Sequence, residues 1–187
     1  YSLIIEEGTS FAQRELDLPD EDTEYQMYED TAEILGTYGY QQYEISNYAK
    51  PGYMCRHNAG YWQRREYLGF GLGASSLYRE LRFSNTRRMQ EYLTDSGKLE
   101  QIRKEVTVLS RNEQIEEFMF LGLRMTEGIS EKLFKETFGV RIMDIYGDIL
   151  QKYEAIGFME HIETKWCLTR KGIHVSNHIL ADFLLDE

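Results

Sequence analysis

Two cysteines, four histidines and two tryptophans are all that 187 residues offer of several side chains often found around metals and prosthetic groups. Cys55 and Cys167 alone build neither a disulfide framework nor a cage of several thiolates, and this points to a reducing, cytoplasmic setting. Basic charge is scarce as well. The 21 Lys and Arg stand against 32 Asp and Glu, and a net charge of −11 argues against nucleic-acid partners, because phosphate binding needs clustered cations. No apolar run approaches the roughly 18 residues of a membrane span. With 42% hydrophobic and 28% charged residues, the chain reads as soluble and globular, long enough for one domain or two small ones. No signal or transit segment stands at Tyr1-Ser2-Leu3-Ile4-Ile5. The chain opens without Met inside an apolar, strand-like run, so an upstream part is expected to be missing.

The scarce residues are concentrated. Cys55, His57 and Trp62 fall within Tyr53-Met54-Cys55-Arg56-His57-Asn58-Ala59-Gly60-Tyr61-Trp62, and Leu68-Gly69-Phe70-Gly71-Leu72-Gly73-Ala74-Ser75-Ser76 follows closely. Charge is uneven in the same sense. Residues 1–44 hold Arg14 against twelve acidic groups, whereas residues 50–88 hold eight basic groups against Glu66 and Glu80, a net +6. Such an island is either a solvated face or a site for a small carboxylate- or phosphate-bearing ligand, since Arg grips those groups bidentately.

In chain order, Tyr1–Ile5 reads as a buried strand and Asp20 as the N-cap of a helix carrying Tyr25, Tyr28, Ala32 and Leu35 up to Gly39. Tyr40–Ile45 reads as a second strand, most simply parallel to the first. Ser46 to Asn58 reads as a loop, Tyr67–Phe70 as a short strand and Ser76–Phe83 as a hairpin, with Asn85 or Thr86 capping the next helix. The polar, turn-bearing stretch Gly97–Val108 marks a boundary between domains at 1–104 and 105–187. Beyond it, Ser110-Arg111-Asn112-Glu113 has capping-box spacing. Further helices are expected at Ser130–Phe138, stopped by Gly139, and at Ile142–Ile156, stopped by Gly157. A hairpin around Thr164-Lys165 and a last helix capped by Thr169 complete a winged-helix-like module. Its nine basic and fifteen acidic groups argue against DNA binding.

The run Gly69-Phe70-Gly71-Leu72-Gly73-Ala74 fits G-x-G-x-x-G/A, but the strand-like residues after it do not open the helix that a dinucleotide fold requires. The glycines then serve either close approach of a flat ligand or tight packing of a strand into a turn. A lone loop histidine is ordinarily structural. Around His57, however, Tyr61 and Trp62 offer π faces, Cys55 a soft sulfur and Arg56 a cation, the set expected around an iron porphyrin with propionates. His174 and His178 share a helical i, i+4 spacing, lack an evident third ligand, and read as surface residues.

Three segments, Tyr43–Gly52, His57–Trp62 and Tyr67–Ala74, together with Glu117–Arg124, Glu127-Gly128 and Leu168–Gly172, resemble the oxygen-independent coproporphyrinogen III oxidase-like radical SAM proteins. The intact H-N-x-x-Y-W from His57 to Trp62 resembles the haem-chaperone branch. That resemblance implies an α+β fold, the last strand–helix units of a partial (β/α) barrel followed by a mostly helical, winged-helix-like domain. It implies haem or porphyrin binding through His57, Asn58, Tyr61, Trp62, Arg56 and Cys55, with His57 on the iron, and haem delivery to membrane respiratory enzymes. It also implies a SAM site touching Ile4, Gly71, Gly73, Ala74 and Ser75. The family's C-x-x-x-C-x-x-C motif is absent, so the [4Fe–4S] cluster and the SAM cleavage it drives are expected in a missing N-terminal half, leaving this part inactive alone. An oxidase of haem biosynthesis and a non-catalytic interaction module are the alternatives.

Overall fold

The computed structural model describes residues 3–95 and 97–185, which fall into two compact units dividing between Cys55 and Arg56. In the first unit, α1 (Glu21–Thr37) begins where the Asp20 carboxylate accepts from the Thr23 N–H at 2.8 Å. That hydrogen bond holds Asp20 below the usual carboxylate range. Strands β1 (Gln41–Glu44) and β2 (Asn47–Ala49) form an antiparallel hairpin, and Tyr28 of α1 donates its hydroxyl to the Ile45 carbonyl at 2.7 Å.

This corrects the expected parallel strand–helix–strand unit. Tyr1 and Ser2 lie outside the described residues, while Leu3 and Ile4 are exposed and outside any strand. β1 pairs with its neighbour in sequence because the turn at Ile45-Ser46 reverses the chain at once, and closing so short a loop costs little entropy.

The second unit opens with α2 (Arg56–Trp62). The hairpin β3 (Ser75–Tyr78) and β4 (Leu81–Asn85) forms as its alternation suggests, and α3 (Met89–Asp95) follows. The polar, turn-bearing stretch Gly97–Val108 contains α4 (Leu99–Ile102) and β5 (Arg103–Val108), which pairs with β4 to make a β3-β4-β5 sheet. Apart from Arg103, β5 is exposed throughout, so its sequence carries the polarity of a loop while its backbone completes a ladder.

α5 (Arg111–Gly122) starts at the expected capping box. There Ser110 and Glu113 satisfy each other's backbone donors, and the bond from Ser110 depresses the Glu113 pKa. β6 (Ile129–Ser130), α6 (Glu131–Phe138) and α7 (Ile142–Ala155) lead to the hairpin β7 (Met159–Ile162) and β8 (Lys165–Leu168), with sheet order β6-β8-β7. Gly139, at φ 72°, ends α6 in the left-handed conformation that glycine adopts without penalty. The last helix is two, α8 (Arg170–His174) and α9 (Ser176–Ala181), broken where Val175 takes a non-helical ψ of 20° at φ −111°.

Met119, Phe134, Tyr146, Leu150, Ile179 and Phe183 are fully enclosed and form the core of this part. Phe118, Phe134 and Phe138 meet at tilted or edge angles with centroids 5.0–5.6 Å apart. Burial raises the Tyr146 phenol far above its ordinary pKa, and its proton is given to the Phe183 carbonyl at 2.9 Å. The pairing of β4 with β5, and the ion pairs described below, tie together the two sides of the compositional boundary at 104/105.

Candidate functional site

The residues from Arg56 to Trp62 form a helix, not the end of a loop. Gly60 and Asn58 are poor helix formers and conceal this in the sequence. Ala59, 2% exposed, is the anchor that the core supplies. Helical spacing then decides which side chains meet. His57 and Tyr61 are four residues apart, and their rings pack edge to face with centroids 4.8 Å apart. Tyr61 repeats the geometry against Tyr67 at 4.6 Å and 89°. Burial raises the Tyr67 pKa. The result is a ladder of three rings ending in the exposed imidazole of His57, with Arg56 and Cys55 also exposed and Asn58 half-buried.

Trp62 turns another way, about 140° from His57 around the helix. Its ring lies under the guanidinium of Arg124, 4.3 Å from the ring centroid. Its indole nitrogen is buried with no hydrogen-bond acceptor among the described residues. Just past the helix, Arg64 adopts a left-handed φ of 53° and reaches Glu117 of α5 at 2.9 Å and Glu80 beside the β3–β4 turn. Glu117, 4% exposed, also takes Arg82 of β4 at 2.7 Å. Burial works against the Arg64 charge, but the hydrogen bonds it donates to Glu80 and Glu117 outweigh it and raise its pKa. The net +6 island is therefore only partly open to a ligand: Arg64 and Arg82 are committed internally, while Arg56, Arg65, Arg87 and Arg88 are exposed.

The glycine run is held from behind. Asn85, 6% exposed at the end of β4, donates its amide to the carbonyls of Gly69 at 3.2 Å and Gly71 at 2.9 Å. The Gly69 N–H goes to the Ser76 hydroxyl at 3.0 Å, that of Gly71 to the Tyr92 hydroxyl at 3.1 Å, and that of Gly73 to the Thr86 carbonyl at 3.1 Å. All three glycine donors are taken. The loop thus offers a ligand its shape, with Gly71 and Gly73 at positive φ, and apolar side chains such as Phe70, 87% exposed. A Cβ at Gly69 would collide with the Ser75 carbonyl, so tight packing accounts for that glycine.

Ala74 and Ser75 sit where this loop enters β3, and Ile4 belongs to the other unit, 75% exposed. Cys167 is buried, its thiol raised by that burial and directed at the Glu127 carbonyl. Among the described residues no group of three or more His, Cys, Asp or Glu side chains is arranged to hold a metal ion. His174 and His178 lie on separate short helices. Asn85, Tyr92, Glu117 and Arg124 shape the site without having been given a role in it by the sequence, although Glu117 and Arg124 bound one of the segments that carry the resemblance. The signal available for Asn85 and Glu117 was a polar side chain at a position where strand or helix periodicity calls for core.

A model of the HemN C-terminal domain matches residues 109–175. Over the full chain, the protein named heme chaperone HemW from Lactococcus lactis is 36% identical, with 100% of this chain and 50% of that protein covered. The Bacillus subtilis protein of the same name is 34% identical, covering 98% of this chain and 50% of its own length, and that of Escherichia coli is 31% identical, covering 100% and 49%. The solved structure titled "Coproporphyrinogen III oxidase (HemN) from Escherichia coli is a Radical SAM enzyme" has a TM-score of 0.69 over 90% of this chain and 42% of that one; at 17% identity it shows the fold. The chain spans about half the length of the curated relatives it matches. The chain therefore belongs to the HemN- and HemW-type family of coproporphyrinogen III oxidase-like proteins.

Proposed function

We propose that this chain is the haem-handling part of a haem chaperone that works in the cytoplasm and passes haem to membrane respiratory enzymes. The observation that carries the reading is the exposed imidazole of His57, braced by Tyr61 and Tyr67 within an intact H-N-x-x-Y-W. The names of the relatives support it. The donor set fits a haem: an imidazole for the iron, ring edges for the macrocycle, and the exposed Arg56 and Arg65 for propionates. Bound haem would supply an iron to be carried. The chain's own residues present the imidazole, pack the porphyrin and neutralise its carboxylates. No helix among the described residues is long and apolar enough to cross a membrane.

The cluster does not fit here. Two cysteines, one buried against a carbonyl, cannot hold four irons, and no step is assigned to a cluster in this chain. We place cluster and SAM cleavage in a further part of the intact protein, with Gly71, Gly73, Ala74 and Ser75 as the shelf of this chain nearest such chemistry. Residues 105–187 we read as a winged-helix-like cover that binds no nucleic acid.

The test compares hemin with metal-free protoporphyrin IX, titrated into wild type and His57→Ala. Ligation by His57 requires that wild type favour hemin and that the mutation remove that preference while leaving protoporphyrin affinity nearly unchanged. Equal preference in both proteins would refute His57 as the iron ligand.

A further inference from the structure

A cavity of about 370 Å³ opens beside Trp62, and neither His57 nor Tyr61 lines it. It lies at the small end of the roughly 300–1,000 Å³ that ligand pockets span, which suits a ligand much smaller than a tetrapyrrole. Its walls are of two kinds. Phe118, Ile129 and Leu133 are apolar, whereas Arg65 and Lys165 bring positive charge. Trp62 lines it as well, and the buried indole N–H of that residue has no acceptor among the described residues. Buried indole donors normally have a partner. The other tryptophan does: Trp166 donates to Glu131 at 3.0 Å.

We propose that this cavity binds a small apolar carboxylate. Its body packs on Phe118, Ile129 and Leu133, one carboxylate oxygen accepts the Trp62 N–H, and Arg65 and Lys165 supply the attracting charge. Glu127 also lines the cavity and pairs with Lys165 at 3.2 Å, so an arriving carboxylate competes with Glu127 for that ammonium. The proposal goes beyond haem handling and does not depend on it.

The two tryptophans make the experiment self-referencing. In the 15N-labelled chain titrated with 3-phenylpropionate, the Trp62 indole N–H resonance should shift saturably and exchange more slowly with solvent, while that of Trp166 stays in place. Trp62→Phe assigns the resonance, and by deleting a charge-assisted hydrogen bond it should weaken binding, followed by calorimetry, by about tenfold or more. Glu127→Gln should tighten binding by freeing Lys165. Leu133→Trp should fill the cavity and abolish the response. The neutral analogue 3-phenylpropanol should bind more weakly than the acid. A Trp62 resonance unmoved at about 20 mM probe, equal shifts at both tryptophans, or an undiminished response in Leu133→Trp would overturn the proposal.

Discussion

The two faces of α2 carry the same kinds of residue and use them in opposite ways. Inward, Ala59 is buried, Trp62 lies beneath Arg124, and Arg64 just beyond the helix is bound to two carboxylates. Outward, His57 is exposed and Tyr61 only partly covered. Seven residues are too few for a helix to persist on its own in water, where about 12–15 are marginal. The inward face therefore has to hold α2 in place. That leaves the outward imidazole exposed, its ring touching only the edge-to-face Tyr61 among the contacts described, as the proposed role of His57 requires.

Breaking the inward face should give the largest effect. Glu117→Ala removes the buried carboxylate that Arg64 and Arg82 share and should cost about 2–3 kcal/mol, the scale of lost charged hydrogen bonds, since Arg64 keeps Glu80 and Arg82 is partly exposed. Denaturant midpoints measure it, and a loss under about 1 kcal/mol would mean that something else secures α2. Asn85→Ala should come next, at about 1–3 kcal/mol, since the carbonyls of Gly69 and Gly71 lose their donor. Faster amide exchange at Gly71 and Gly73 should accompany it, and unchanged exchange would show that Asn85 does not shape the loop.

A smaller effect sharpens the contrast between buried and exposed ion pairs. Lys152 and Tyr153 both donate to Asp182 at 2.7 Å and hold its pKa below the ordinary 3.8. A depressed folded-state pKa stabilises above the unfolded value, and the gain is lost as pH falls from about 3.8 through the folded value. Asp182→Asn should therefore lower stability at neutral pH and flatten the acid limb of the unfolding curve below about pH 4. An acid limb identical to wild type would dismiss this contribution.

Local grammar was the readable part of the fold. Asp20, Ser110 and Ser130 cap helices, Gly139 stops one, and the β3–β4 hairpin follows its alternation, because each of these rests on neighbours in sequence. Pairing was less legible. β5 looks like a linker because only its backbone matters to the sheet, and β1 joins β2 rather than the N-terminal run because a tight turn intervenes. In the candidate site, the side chains proposed to meet haem stand out in the sequence as a crowd of rare residues. Their division between the two faces of α2 does not, because Gly60 obscures the helix and because Arg64, Glu117 and Arg82 meet only through tertiary packing.

On stability, the smallest effect should be that of His57→Ala, within about 0.5 kcal/mol, as expected for an exposed residue. The same change should have the largest effect on haem. The most direct measurement of the central claim records, on one sample of each protein, the melting curve without ligand and the Soret spectrum with hemin. The two-faced account of α2 requires superimposable melting curves and a displaced, weakened Soret band in His57→Ala. A wild-type Soret band in the mutant, or a melting temperature that falls along with the band, would contradict it.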